Sequence, residues 1–226
     1  MKIAILMNQN SYCGREYLDQ LRKNNILIDV LSVGSFPEIM PLEDQRCGNL
    51  WKPEVTAELA KFHRFIPVQS LKDDSLLEVI KANNYDLALQ GGTGIIPLTV
   101  INAFKFGILN FHPGDLPFYR GCSAPEWQIY EGNNVISTCH LVAEGIDTGE
   151  IIDKKILDIN SDNYESFRSS IYPETAKFVV HVIKKYMHAN GPYKRPVKQN
   201  ENDAKYRKYI GNERIKELKS KFPLIL

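Results

Sequence analysis

The sequence predicts an α/β fold: a mainly parallel, Rossmann-like sheet flanked by helices, with a short helical extension at the C-terminal end. Apolar strand-like runs alternate with helix-like stretches along most of the chain, the order that produces parallel strands joined by helical crossovers. At 226 residues the chain can bury a full core as one domain plus an appendage. Its apolar and charged fractions, 43% and 24%, are those of an ordinary globular protein. The expected division is a main domain over residues 1–190 and an extension over 191–226 too short to fold alone.

Each element has a local reason. Residues 2–7 are a short apolar run and read as the first buried strand. Residues 14–23 carry Tyr17, Leu18 and Leu21 at helical spacing, which predicts an amphipathic helix with those three inward. A second strand is expected over 26–31. Residues 34–52, rich in Pro, Gly and charge, predict a long loop or irregular crossover. Pro53 suits a first helical position, where its missing amide costs nothing, so a helix is expected to about Phe62. Ser75 to Glu78 has capping-box spacing, with Asp73 or Asp74 as an earlier start. A strand over 85–90 then leads into Gly91-Gly92-Thr93-Gly94 and a helix opening near Pro97.

The second half begins with a strand over 108–112, which the Pro-Gly-Asp-Leu-Pro stretch turns into a loop. Ser123-Ala124-Pro125-Glu126 predicts a helix to about Glu131, stopped by Gly132. Strands follow over 135–142 and 151–159. Residues 162–188 have a helical pattern interrupted by Pro173, which predicts a kink or two helices. Residues 206–222 predict a solvated amphipathic helix packing Tyr209, Ile210, Ile215 and Leu218.

Three side chains suggest chemistry. Asn110 and His112 are two apart, so on an extended strand they leave the same face. Asp147 lies in a turn bracketed by Gly145 and Gly149, where a carboxylate can be aimed. An amide donor can hold a developing oxyanion, an imidazole can take a proton from a nucleophile, and a carboxylate can support the imidazole. The alternative is an ordinary strand with a satisfied histidine and a turn aspartate. In an open α/β sheet ligands collect at the carboxyl ends of strands, so His112, Gly91 to Gly94 and Asp147 would line one cleft.

The run Leu109-Asn110-Phe111-His112-Pro113-Gly114-Asp115-Leu116-Pro117, followed by Tyr119-Arg120-Gly121, resembles the signature of formyltransferases that use 10-formyltetrahydrofolate. The later Val142-Ala143-Glu144-Gly145-Ile146-Asp147-Thr148-Gly149-Glu150-Ile151-Ile152 is similar to the second signature of that family. The close match covers about residues 107–153, with a looser pattern back to residue 1. The resemblance implies N10-formyltetrahydrofolate as formyl donor and Asn110, His112 and Asp147 as the catalytic trio of formyl transfer to an amine. It also implies that Gly94, Ile95 and Ile96, with Ala143, Glu144 and Gly145, bind the folate; an apolar wall with free backbone amides suits a flat heterocycle. The other readings of Gly91 to Gly94 are a tight turn or a phosphate cradle, the latter lacking both P-loop and dinucleotide spacing.

Departures from relatives narrow the acceptor. The loop Asn8 to Gly14 is polar with one glycine, unlike the glycine- and serine-rich phosphate loop of glycinamide ribonucleotide formyltransferases. After the last long helix only 192–226 remain, short of the barrel domain that methionyl-tRNA formyltransferases append. The chain most resembles the short sugar N-formyltransferases, which act on nucleotide-linked amino sugars. In that frame Tyr119 and Trp127 would stack a sugar or base and Arg120 would pair with a phosphate, or all three would be structural.

Other classes are disfavoured. A formal net charge of +1 gives no global electrostatic case for nucleic acid. No apolar run approaches the roughly 20 residues that span a bilayer, and the first strand reaches Asn8 too soon for a signal peptide, so a cytoplasmic protein is expected. Cys13, Cys47, Cys122 and Cys139 are scattered, with no spacing suited to zinc, and the expected chemistry requires no metal. An apolar face on the last helices would suit a homodimer or the domain's own core. His63, His140, His181 and His188 have no motif context and read as structural or surface residues. Competing functions are transfer to another small amine, hydrolysis of 10-formyltetrahydrofolate, and non-catalytic binding of folate or a nucleotide sugar.

Overall fold

A computed structural model describes residues 1–34 and 44–222. A seven-stranded sheet organises them, built from β1 (Ile3–Met7), β2 (Asp29–Val33), β3 (Phe65–Val68), β4 (Leu87–Gln90), β5 (Ile108–His112), β7 (Ile136–Leu141) and β8 (Ile151–Ile156), in the order β3-β2-β1-β4-β5-β7-β8. The first five in that order are parallel; β7 runs antiparallel to β5, and β8 runs antiparallel to β7 to complete the sheet. Strand order reverses between β1 and β4, which opens a crevice at their carboxyl ends, the position where open α/β sheets take ligands.

Helices cover both faces. On one, α1 (Tyr12–Lys23) and α6 (Tyr164–Ala189) pack Tyr17, Leu18, Leu21, Phe178, Val179 and Ile183 against Leu89, Leu109 and Phe111. On the other, α3 (Asp74–Asn83) and α4 (Leu98–Ile101) cover Ala4, Leu6, Ala88 and Ile108 with Leu76, Ile80 and Val100. The α1 helix starts at the Ser11 hydroxyl, which accepts from the Gly14 amide, and α3 starts in the same way at Asp73. A third apolar cluster joins Ile129 of α5 (Ala124–Tyr130) and Tyr164, Phe167 and Ile171 of α6 to Ile210 and Leu218 of the C-terminal extension.

Several sequence expectations are corrected. The second strand begins at Asp29, because Ile26 and Ile28 pack into the core from the turn that precedes it. The helix after Pro53 shrinks to α2 (Thr56–Leu59), and β3, which contains Pro67, follows it. Residues 35–43 of the expected loop lie outside the described residues; its remainder includes a single 3-10 turn, Gln45–Cys47, capped by Asp44. The capping box at Ser123 does not form: Ser123 has φ +53°, and its hydroxyl instead accepts from the Ile210 amide.

Pro173 neither breaks nor divides α6, which runs unbroken for 26 residues. A mid-helix proline costs about 3 kcal/mol. Burial of Ile171, Tyr172, Phe178 and Val179 around it, at about 1.5–3 kcal/mol per side chain, outweighs that. The last helix starts late, as α7 (Asn212–Lys221), and Tyr206–Arg207 instead forms a short strand, β9, beside β6 (Arg120–Gly121). Ile210 and Leu218 are buried as expected, whereas Tyr209 is exposed. Among the described residues, no helix is long and apolar enough to cross a membrane.

Candidate active site

β5 alternates as a buried strand should. Leu109 and Phe111 face the α1–α6 side, where the Phe111 ring meets Phe178 edge-on at 5.4 Å. Asn110 and His112 therefore leave the opposite face, as their spacing predicted. β7 runs antiparallel with Asn110 opposite His140, and the β7–β8 connection carries Asp147 back over both. The four polar side chains meet at the carboxyl end of β5.

Hydrogen bonds fix the protonation pattern. His112 donates its Nε2–H to the Tyr119 carbonyl at 2.6 Å, which leaves Nδ1 of the neutral ring as the free lone pair. That Nδ1 faces Asp147 Oδ2 at 3.6 Å. His140 donates from Nδ1 to the Leu141 carbonyl at 2.8 Å, so its Nε2 accepts. Asn110 Nδ2 donates to that Nε2 at 3.1 Å and reaches Asp147 Oδ1 at 3.5 Å. One amide proton of Asn110 is thus held by His140, and the other is engaged only by a long contact.

Two glycines permit these approaches. A Cβ on Gly114 would lie 2.5 Å from His112 Nε2 and 2.7 Å from the Tyr119 carbonyl, so a side chain there would displace the ring from its acceptor. A Cβ on Gly149 would fall 1.6 Å from the Leu141 carbonyl oxygen. The turn bearing Asp147 can close against β7 only with glycine at 149.

Charge is tuned by burial and neighbours. Burial lowers the His112 pKa below its ordinary 6.5, partly offset by the Asp147 charge, so the ring is neutral at neutral pH. For Asp147 burial acts the other way, but His140, His112 and the Gly121 amide outweigh it and hold the carboxyl at about 2. The Gly121 amide donates to Oδ2 at 2.9 Å. A neutral base therefore faces a fixed anion, which stabilises the imidazolium once a proton arrives.

Two cavities meet at Asn110. One, about 290 Å³, is lined by Gln90, Gly94, Ile95, Ile96, Asn110, His140, Val142, Ala143, Gly145, Ile146 and Asp147. Of the residues expected to hold folate, all but Glu144 line it; the Glu144 carbonyl accepts from the Thr148 hydroxyl within the turn. Gln90 donates to the Gly94 carbonyl at 2.8 Å and ties that loop to β4. The second cavity, about 230 Å³, shares Gln90 and Asn110 and is walled by Tyr12, Tyr17, Arg168, Tyr172 and Thr175.

The expected substrate contacts lie elsewhere. Neither cavity is lined by Tyr119, Arg120 or Trp127. Tyr119 donates its hydroxyl to Glu131 and accepts from Asn133. The Arg120 guanidinium is fully buried and paired with Glu201 and Gln199. Trp127 donates to the Lys208 carbonyl and stacks under Arg207 and Arg214. His140 is the residue that sequence reasoning missed, because only strand register sets it opposite Asn110. Tyr12 and Tyr172 were missed as well; Tyr172 stacks on Trp51 at 4.3 Å and meets Tyr12 edge-on at 5.2 Å.

Comparison with known proteins gives the family. The formyl transferase family model matches residues 1–183. The chain belongs to the formyl transferase family. It is 30% identical over 120 residues to a methionyl-tRNA formyltransferase of Thermodesulfovibrio yellowstonii, covering 52% of this chain and 39% of that one. The chain thus spans about two-fifths of the length of that curated relative. Among solved structures it is similar to glycinamide ribonucleotide transformylase 1 from Symbiobacterium toebii, with TM-score 0.61, 20% identity, and 88% of this chain and 94% of that one covered. It is also similar to the N-formyltransferase from Helicobacter canadensis in complex with folinic acid and dTDP-3-aminofucose, with TM-score 0.61, 17% identity, and coverage of 92% and 70%. At these identities the solved structures speak for the fold, a Rossmann-like formyltransferase sheet.

Proposed function

We propose that this chain transfers the formyl group of 10-formyltetrahydrofolate to the amine of a nucleotide-linked amino sugar, with Asn110, His112 and Asp147 as the catalytic group. The carrying observation is that Asn110 stands in the wall shared by two cavities, with a neutral His112 and an ionised Asp147 beside it. A donor and an acceptor seated on either side would meet at its amide. The family membership of residues 1–183 supports the donor. In this reading residues 1–190 are the catalytic domain, and 191–226 complete it without folding alone.

The first cavity suits the donor's flat ring system. Ile95, Ile96, Val142 and Ile146 give apolar walls, and Gln90 and the loop backbones offer hydrogen bonds at the edge. The bound donor supplies an activated formyl carbon. Asn110 directs its second amide proton at the oxygen that gathers negative charge as the amine adds, an interaction worth about 2.7–4 kcal/mol where comparable donors have been removed. His112, which itself lines neither cavity, takes the amine's proton at Nδ1 through an intervening water, for about 10²–10⁴ in rate. Asp147 holds the resulting imidazolium, and the proton can then pass to the departing nitrogen of tetrahydrofolate. His140 fixes the Asn110 amide for this role.

The second cavity favours a sugar. Its aromatic walls, Tyr12 and Tyr172, offer faces for a ring, and the Thr175 hydroxyl is buried with no partner among the described residues. Arg168 is matched by Asp44 at 3.1 Å and Glu126 at 3.6 Å, so its charge is already balanced. The aminofucose nucleotide in the Helicobacter canadensis complex supports the same acceptor class.

A panel assay decides the acceptor. The chain is incubated with 10-formyltetrahydrofolate and separate nucleotide-linked amino sugars, other small amines, or methionyl-tRNA, and both tetrahydrofolate release and acceptor mass are followed. One formyl group gained by a sugar is the expected result. Formylation of methionyl-tRNA alone, or formate release with no formylated amine, overturns the sugar reading.

A further inference from the structure

The segment after α6 does more than cover the domain. It is pinned on both sides of the Asp147 turn, to β8 of the main sheet and to β6. Val197 exchanges two backbone hydrogen bonds with Ile151 at the start of β8, each 2.8 Å. Tyr206 and Arg207 pair with Arg120 and Gly121, the latter being the residue whose amide holds Asp147 Oδ2. Between these two anchors lies Gln199.

Gln199 uses its whole amide. Its Nε2 donates to the carbonyls of Asp147 at 2.8 Å and Gly149 at 2.7 Å. Its Oε1 accepts from Arg120 Nε at 3.1 Å and Nη2 at 2.8 Å. Arg120 in turn is fixed by a two-pronged pair with Glu201, at 2.9 and 2.7 Å, and lies over the Tyr206 ring. Such a fork-to-carboxylate contact fixes direction as well as distance. Asp147 itself has φ +55°, a left-handed conformation that a non-glycine residue keeps only when its surroundings hold it. Gln199 holds its backbone carbonyl, beside the Gly121 amide that holds its carboxylate.

We propose that Gln199, clamped by Arg120 and Glu201, is a positioning residue that aims the Asp147 carboxylate at His112 and Asn110. The inference rests on the catalytic reading of Asp147 given above. It gives the C-terminal segment a part in the chemistry without contact with substrate.

The test uses the full chain carrying Gln199→Met, which keeps length and removes every polar contact. A second variant, Gln199→Asn, leaves an amide near Arg120 but falls one methylene short of the two carbonyls, so it stays informative should the first fail to fold. Asp147→Asn is the benchmark. The His112 ring is followed by NMR titration of the ligand-free protein, assigned with His112→Gln, alongside kcat and KM for 10-formyltetrahydrofolate with the acceptor found in the panel. Because Asp147 raises the His112 pKa, a turned-away carboxylate lets His112 titrate at lower pH. Both Gln199 variants are expected to move the His112 midpoint down toward that of Asp147→Asn. They should also lower kcat by about 10- to 100-fold with KM little changed, the scale of a small misplacement of a catalytic group. A folded variant with the wild-type midpoint and kcat overturns the clamp. Should Asp147→Asn turn over normally while the Gln199 variants still shift His112, the clamp stands and the catalytic reading of Asp147 falls.

Discussion

That Asn110, His112 and Asp147 come together was legible in the sequence, because two short motifs carry them and the spacing of the first two puts both on one strand face. Their working arrangement was not visible there. The free lone pair at His112 Nδ1 follows from the Tyr119 carbonyl that occupies Nε2, a contact Gly114 permits. His140 entered through the antiparallel register of β5 and β7, a long-range property with no local signature. Arg120 shows the converse: the sequence left it either a phosphate ligand or a structural residue, and the structure buries it against Glu201 and Gln199. The residue-scale prediction concerns pH. His112 must be neutral to act as base, and its pKa lies below 6.5, so kcat/KM should rise with pH along an acid limb centred below 6.5. Asp147→Asn removes a charge that raises this pKa, so the limb should move to lower pH while the plateau falls. A limb that moves upward would contradict the contact between the two residues.

At the scale of elements, the sequence located every α-helix but only six of the nine strands among the described residues, and the misses have physical causes. β3 contains Pro67, which argues against a strand in isolation but is tolerated because β3 lies at the sheet edge. α6 survives Pro173 because its neighbours are buried, Phe178 and Val179 on the sheet and Ile171 against α5 and the C-terminal extension, which no local pattern reveals. β9 is two residues long and exists only because β6 is beside it. The packing of α6 on β5 matters most to the site, since Phe178 meets Phe111 between Asn110 and His112. Phe178→Ala should cost about 3–5 kcal/mol in denaturant unfolding, as for other buried aromatics. A loss under about 1 kcal/mol would show that α6 does not support the strand in this way.

For the whole molecule, the reversal of strand order between β1 and β4 decides where chemistry can occur, and the alternation of elements made that architecture legible before any side chain was placed. The aromatic wall of the second cavity was not legible, because Tyr12 and Tyr172 come from helices 160 residues apart in the chain and meet only in the fold. Global stability should carry the imprint of the buried ionisable groups. His63 and His112 have pKa values lowered below 6.5, foremost by burial, so the unfolded chain binds more protons and stability declines as pH falls through that value. Asp147, held at about 2 against an ordinary 3.8, contributes stability that is present above 3.8 and lost as pH falls toward 2. Asp19, Asp29 and Asp153 are lowered in the same direction. Melting temperature should therefore fall gently below pH 6.5 and steeply below pH 4; a profile flat down to pH 3 would contradict these assignments. The most direct test of the catalytic claim follows the fate of a ¹³C-labelled formyl carbon from 10-formyltetrahydrofolate, with the acceptor found in the panel, in the wild-type chain and in His112→Ala. The label should appear as a formamide on the acceptor with the wild-type chain. With His112→Ala that signal should grow about 10²–10⁴-fold more slowly, while folinic acid binds both proteins equally. Equal rates in the two proteins, or label recovered only as free formate, would contradict the account.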